Sequence, residues 1–143
     1  MQLSTKARYA ARAMVELALE YNQDPVKLKD IARRQDISLK YLEQVMFPLR
    51  VSGFVKTLKG SKGGYTLARP PEQVTLLDLV ECVEGRVSPV ECADNPDLCT
   101  RSEICPTHPA WVSLKEAMKK ELGRISLAEL ASRQKEINEK NRG

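Results

Sequence analysis

The chain has 143 residues, 42% of them hydrophobic and 29% charged, with a net charge of +4. That length fits one domain or a small domain with an appendage, and the composition suits a soluble globular protein rather than a membrane-spanning or disordered one. No stretch approaches the apolar run a membrane helix needs, and the basic start MQLSTKARYAARAM lacks a signal-peptide core, so a cytoplasmic location is expected.

The charge is uneven. Residues 1–70 hold 13 Lys and Arg against 6 Asp and Glu, whereas residues 71–143 hold 10 against 13. A basic first half is expected of a segment that meets phosphates, although surface lysines and arginines also simply solvate helix faces.

In chain order, Ser4 is placed to cap a first helix whose apolar stripe runs through Ala10, Ala13, Met14, Leu17, Ala18 and Tyr21. The polar cluster at 22–25 ends it. A short second helix turns Leu28, Ile31 and Ala32 inward, and Ser38 is the cap of a third, which buries Leu39, Leu42, Val45, Met46 and Leu49. Two short helices joined by about four residues make a helix-turn-helix, whose second helix enters the major groove. Lys40, Tyr41, Glu43 and Gln44 are its expected exposed residues. Gln suits adenine, and Glu accepts from the cytosine amino group. Pro48 lies within this helix and should kink it, leaving 39–47 straight.

Residues 54–58 and 65–68 read as two strands around a Gly-rich turn. The turn carries Lys59 and Lys62, and Gly63 and Gly64 supply positive φ. A basic hairpin directly after a helix-turn-helix is a wing. A Thr75-x-x-Asp78 capping pattern then opens a helix that runs to Glu84, with Cys82 read as packing rather than as a ligand.

Cys92, Cys99, Cys105 and His108 fall within 17 residues, in a proline-rich stretch of weak periodicity. His108 is the sole histidine. Three thiols and an imidazole suit an iron–sulfur cluster or a thiophilic metal, and Cys3His is also a tetrahedral zinc set. In a reducing compartment such a group is a metal or redox site before it is a disulfide framework. From Pro109 the chain is helical again. Trp111, Leu114, Met118, Leu122 and Ile125 form a seam suited to a partner helix, or to packing within the same subunit. Ser126 caps a short last helix, and the polar residues 132–143 are expected to be a disordered tail. No phosphate loop and no nucleophile–base pair is present, so an enzyme is not expected.

The stretches at 3–14, 36–45, 59–69, 105–114 (CPTHPAWVSL) and 125–130, with the three-cysteine segment, resemble the iron–sulfur cluster regulator (IscR) branch of the Rrf-type winged helix-turn-helix transcription regulators. The likeness covers nearly the whole chain, and Cys-x-x-His before a tryptophan-bearing helix is its most specific part. It implies a mainly α fold with a small β-hairpin wing and a long dimerisation helix. The expected divisions are a DNA-binding domain at 1–70, a linker, cysteine loop and dimerisation helix at 71–131, and the tail.

It also implies a homodimer on double-stranded DNA, with no membrane or small-molecule substrate. One 2Fe-2S cluster per subunit would be held by Cys92, Cys99, Cys105 and His108. Control of cluster-assembly genes, including its own operon, follows the same pattern. Ser38, Lys40 and Tyr41 would touch backbone and Gln44 a base, Glu43 would discriminate between classes of DNA site, and Arg8, Lys59 and Lys62 would complete the DNA contacts. The first cysteine gap is one residue longer than the usual spacing of this branch, and Lys59 stands where a wing arginine is usual. Relatives that respond to nitric oxide or iron with a different cluster, and cluster-free zinc or thiol-redox DNA-binding regulators, are the alternatives.

Overall fold

The computed structural model describes residues 2–142. Helices α1 (Thr5–Leu19), α2 (Leu28–Gln35) and α3 (Leu39–Val51) precede a hairpin of β1 (Val55–Leu58) and β2 (Gly64–Leu67). Helices α4 (Leu76–Glu84), the single-turn α5 (Glu91–Asp94), α6 (His108–Arg124) and α7 (Leu127–Arg142) follow.

Local chemistry starts the helices where the sequence puts caps. The Ser4, Ser38 and Ser126 hydroxyls accept from Ala7 N, Tyr41 N and Glu129 N, each at 3.1 Å. Thr75 and Asp78 close a reciprocal capping box on α4. Each such cap satisfies a backbone donor the helix cannot pair and is worth about 1 kcal/mol.

The stripe of α1 is buried as its period requires. Ala10, Ala13, Met14, Leu17 and Ala18 join Ile31, Leu42, Val45, Met46 and Leu49 in one core. Val74, Leu79, Leu127 and Ala131 belong to the same cluster. The core therefore runs across the boundary expected at residue 70, with α1 packed against both α4 and α7.

The strands pair antiparallel, Val55 with Leu67 and Leu58 with Gly64. The hairpin is also fastened to the helix-turn-helix: Val26 N donates to Tyr65 O at 2.9 Å, and Tyr65 N to Val26 O at 2.8 Å. Positive φ falls at Gly60 and Gly64, not at Gly63. Gly63 is needed for a different reason, since a Cβ there would stand 2.1 Å from the Leu58 carbonyl oxygen.

Three other expectations are corrected. Leu39 is 43% exposed. It is the first residue of α3 and precedes the turn on which the inward face is set. Tyr41 is half-buried instead of exposed, with its ring edge-on to Tyr9 at 5.7 Å between centroids. Helix α3 itself runs through Pro48 to Val51, with the Pro48 carbonyl accepting from Ser52 N at 3.0 Å. Residues 132–142 are helical, continuing α7 from a base anchored by Leu127 and Ala131. Once that first turn is fixed, each further residue costs little to add.

Candidate DNA interface and cysteine site

The exposed side of α3 gathers polar and charged groups. Ser38, Lys40, Glu43 and Gln44 are exposed, and Lys40, Glu43, Gln44 and Phe47 line one shallow groove. Phe47 was not singled out by sequence, because one aromatic residue next to a core stripe reads as more core; its place three residues after Gln44 was the available signal. Arg50 lies over its ring, with the guanidinium carbon 5.7 Å from the centroid. Tyr41 leaves this face for the packed one.

Behind α3, a polar clamp fixes α2 on α1. Arg12 Nε donates to Gln35 Oε1 at 2.8 Å, Gln35 Nε2 donates to Glu16 at 2.6 Å, and Arg34 pairs with Glu16 at 3.3 Å. The wing is steadied by Arg69, which stacks 4.4 Å from the Phe54 ring centroid and donates to Ser52 O. Lys59 and Lys62 are exposed in the hairpin turn, and Arg8 on the outer side of α1. Cations, carboxylate and amide thus stand on projecting elements over a rigid body, the arrangement by which helix-turn-helix proteins meet phosphates and base edges.

Cys82 packs as expected. It lies against the core, and its thiol faces Pro48 O and the Ser52 hydroxyl, both at 3.4 Å.

The cysteine segment is built of short turns. Arg86 and Lys115 both pair with Asp94, at 3.4 and 3.7 Å, and Lys115 donates to Ala93 O at 3.1 Å, which ties α5 to α6. All four thiols are free. The Thr107 hydroxyl, 3.1 Å from Cys105 Sγ, holds that thiol below its ordinary pKa by hydrogen bonding to the thiolate. Among the described residues no three His, Cys, Asp or Glu side chains converge as a metal site, so Cys92, Cys99, Cys105 and His108 are not brought together. The physical reason is that no extended helix or strand spans the loop to force convergence, and binding sites for metals rarely preform without the metal–ligand bonds themselves.

The donor set nevertheless fits a thiophilic group. His108 Nδ1 is the one buried side-chain nitrogen or oxygen without a hydrogen-bond partner among the described residues. An unpaired buried imidazole nitrogen is costly unless something binds it.

Helix α6 has 17 residues and none is buried. Trp111 and Leu114 are 39% and 38% exposed, while Met118 and Leu122 lean on a small cluster of Ala7, Val80 and Val87. Ile125 ends the seam outside the helix. No helix among the described residues is long and apolar enough to cross a membrane.

The Rrf2 family, described as iron-dependent transcriptional regulators, matches residues 3–133. Protein rrf2 of Nitratidesulfovibrio vulgaris is 38% identical over 130 residues, covering 91% of this chain and 87% of its own. The structure of CymR, the global cysteine regulator of B. subtilis, superposes with a TM-score of 0.78 at 36% identity, covering 92% of this chain and 97% of that one. IscR of T. potens gives the same TM-score of 0.78 at 33% identity, covering 96% and 90%. The winged helix-turn-helix is common to these regulators, and the chain belongs to the Rrf2 family of transcriptional regulators.

Proposed function

We propose that this regulator binds DNA as a homodimer and senses iron–sulfur cluster status through a 2Fe-2S cluster held by Cys92, Cys99, Cys105 and His108. Genes for cluster assembly, its own operon included, are the targets this reading assigns. The observation that carries it is the buried, unpartnered His108 Nδ1 at the head of α6, in a segment whose three cysteines are all free thiols.

When bound, the cluster supplies a redox-active, oxygen-sensitive group whose potential is raised by an imidazole in place of a thiolate. The protein's part is to offer and orient ligands. Cys105 gives up its proton more readily than an ordinary thiol, with Thr107 donating to the thiolate. Asp94, Lys115 and Arg86 brace the single-turn α5 that carries Cys92. His108 would supply the one nitrogen ligand of the set, from the first turn of α6. Because His108 begins α6, ordering the loop acts directly on the helix that carries the proposed dimer seam of Trp111, Leu114, Met118 and Leu122. On the DNA side, Ser38, Lys40, Lys59, Lys62 and Arg8 meet backbone, Gln44 reads a base, and Glu43 rejects sites that offer it no donor.

Protein purified without oxygen is expected to be red-brown, with about two irons and two sulfides per subunit, both lost in Cys92→Ala. Likeness to the B. subtilis cysteine regulator supports a second reading, in which the cysteines act as thiols and no cluster binds. Colourless protein free of iron, with unchanged DNA binding, would establish that second reading in place of the first.

A further inference from the structure

We propose that Phe47 is a specificity residue that packs against the C5 methyl group of a thymine in the major groove. The inference rests on the reading of α3 as the DNA-reading helix. Phe47 is 57% exposed, whereas no polar or charged residue is buried among the described residues. An aromatic ring held outward among the polar residues of a DNA-reading helix is placed to meet an apolar partner on the DNA.

The neighbours of the ring identify that partner. Phe47 stands four residues after Glu43 and three after Gln44, on the same helical face, and shares a groove with them and Lys40. Arg50 covers part of the ring from the next turn. The centre of a protein–protein contact is depleted of charge, whereas this ring is bordered by Lys40, Glu43 and Arg50. Major-groove DNA presents the opposite mixture. Phosphates answer the cations, base edges answer the carboxylate and amide, and the thymine methyl is the single apolar feature a base pair displays there. A phenyl group has no donor or acceptor, so that methyl is what it can recognise. One helical turn advances about 5.4 Å, roughly one and a half base-pair steps of 3.4 Å. The thymine therefore lies one or two steps from the pair that Gln44 meets.

The test uses the full-length protein. Preferred duplexes are selected from a random library, and each thymine is then replaced in turn by deoxyuridine, which lacks only the methyl group. At one thymine per half-site, the replacement is expected to weaken wild-type binding about fourfold, the worth of burying one methyl. Phe47→Ala should bind the two duplexes equally, and Phe47→Leu should keep part of the preference. Gln44→Ala, run in parallel, should change the base selected at the neighbouring step. If Phe47→Ala keeps the wild-type preference for thymine while Gln44→Ala shifts the selected sequence, the proposal fails and the recognition helix stands. If neither variant changes selection, the reading of α3 fails and takes the proposal with it. A Phe47→Ala protein that loses its self-association would make the ring a protein contact and overturn the proposal.

Discussion

The two halves of the molecule keep their apolar side chains in opposite places. In the winged helix-turn-helix, Met14, Leu17, Ile31, Leu42, Val45, Met46 and Leu49 are at most 1% exposed. In the segment from Pro89 to Arg124, Val90, Leu98, Ile104, Trp111 and Leu114 all face outward, and α6 is half-buried only at positions such as Met118 and Leu122. The first half has its core closed within one chain, by α4 and the base of α7. The second half carries the groups that, in the proposed function, a second copy and a bound cofactor would cover. Under the proposed function, the part that reads DNA would stay fixed while the part that responds is left to be completed.

The contrast can be broken most directly by truncating one apolar residue on each side. Leu42→Ala is expected to lower unfolding stability by about 2–5 kcal/mol in chemical denaturation, since its site is fully packed. Leu114→Asp should leave the unfolding of the monomer nearly unchanged and weaken self-association by about 30-fold in sedimentation, the size of a strong interface residue. Equal losses of monomer stability in the two variants would erase the distinction. Thr75→Ala removes the capping box at the junction of the halves and should cost about 1 kcal/mol in thermal or chemical unfolding. The smallest effect belongs to the wing. Lys59→Ala should weaken DNA binding uniformly across sequences and reduce the slope of log affinity against log salt by about one; a change confined to some sequences would mean that Lys59 reads shape instead.

The same division explains what the sequence discloses. Capping residues Ser4, Ser38, Thr75 and Ser126 and the stripe of α1 are local signals, and the elements they mark stand where they predict. Leu39 and Tyr41 exchange expected places because both sit in the first turn of α3, where facing is decided by Tyr9 across the interface and not by period alone. The helix over 132–142 has little apolar stripe to announce it. It is propagated from Leu127 and Ala131 and laced by Arg133 to Glu129 at 2.8 Å and Gln134 to Asn138 at 3.0 Å. The cysteines and histidine are conspicuous in sequence, but their convergence is not written into any local pattern, because only bonds to a shared ligand would draw them together.

The short bridge between Thr75 and Ser126 has a mechanical consequence. Leu76 N donates to Ile125 O and Leu127 N to Val74 O, both at 2.8 Å, so the C-terminal end of α6 is pinned to the buried body that carries α3. His108 sits at the other end, and at about 1.5 Å per residue the 17-residue α6 is a rod about 25 Å long. Moving its His108 end sideways by about 2 Å tilts such a rod by only about 5° about its fixed foot. In a pair of subunits joined along these rods, each tilt changes the angle between the two bodies, and with it the distance between the two recognition helices. The span of DNA a dimer can straddle is then set at the far end of a lever, well away from any residue that touches a base.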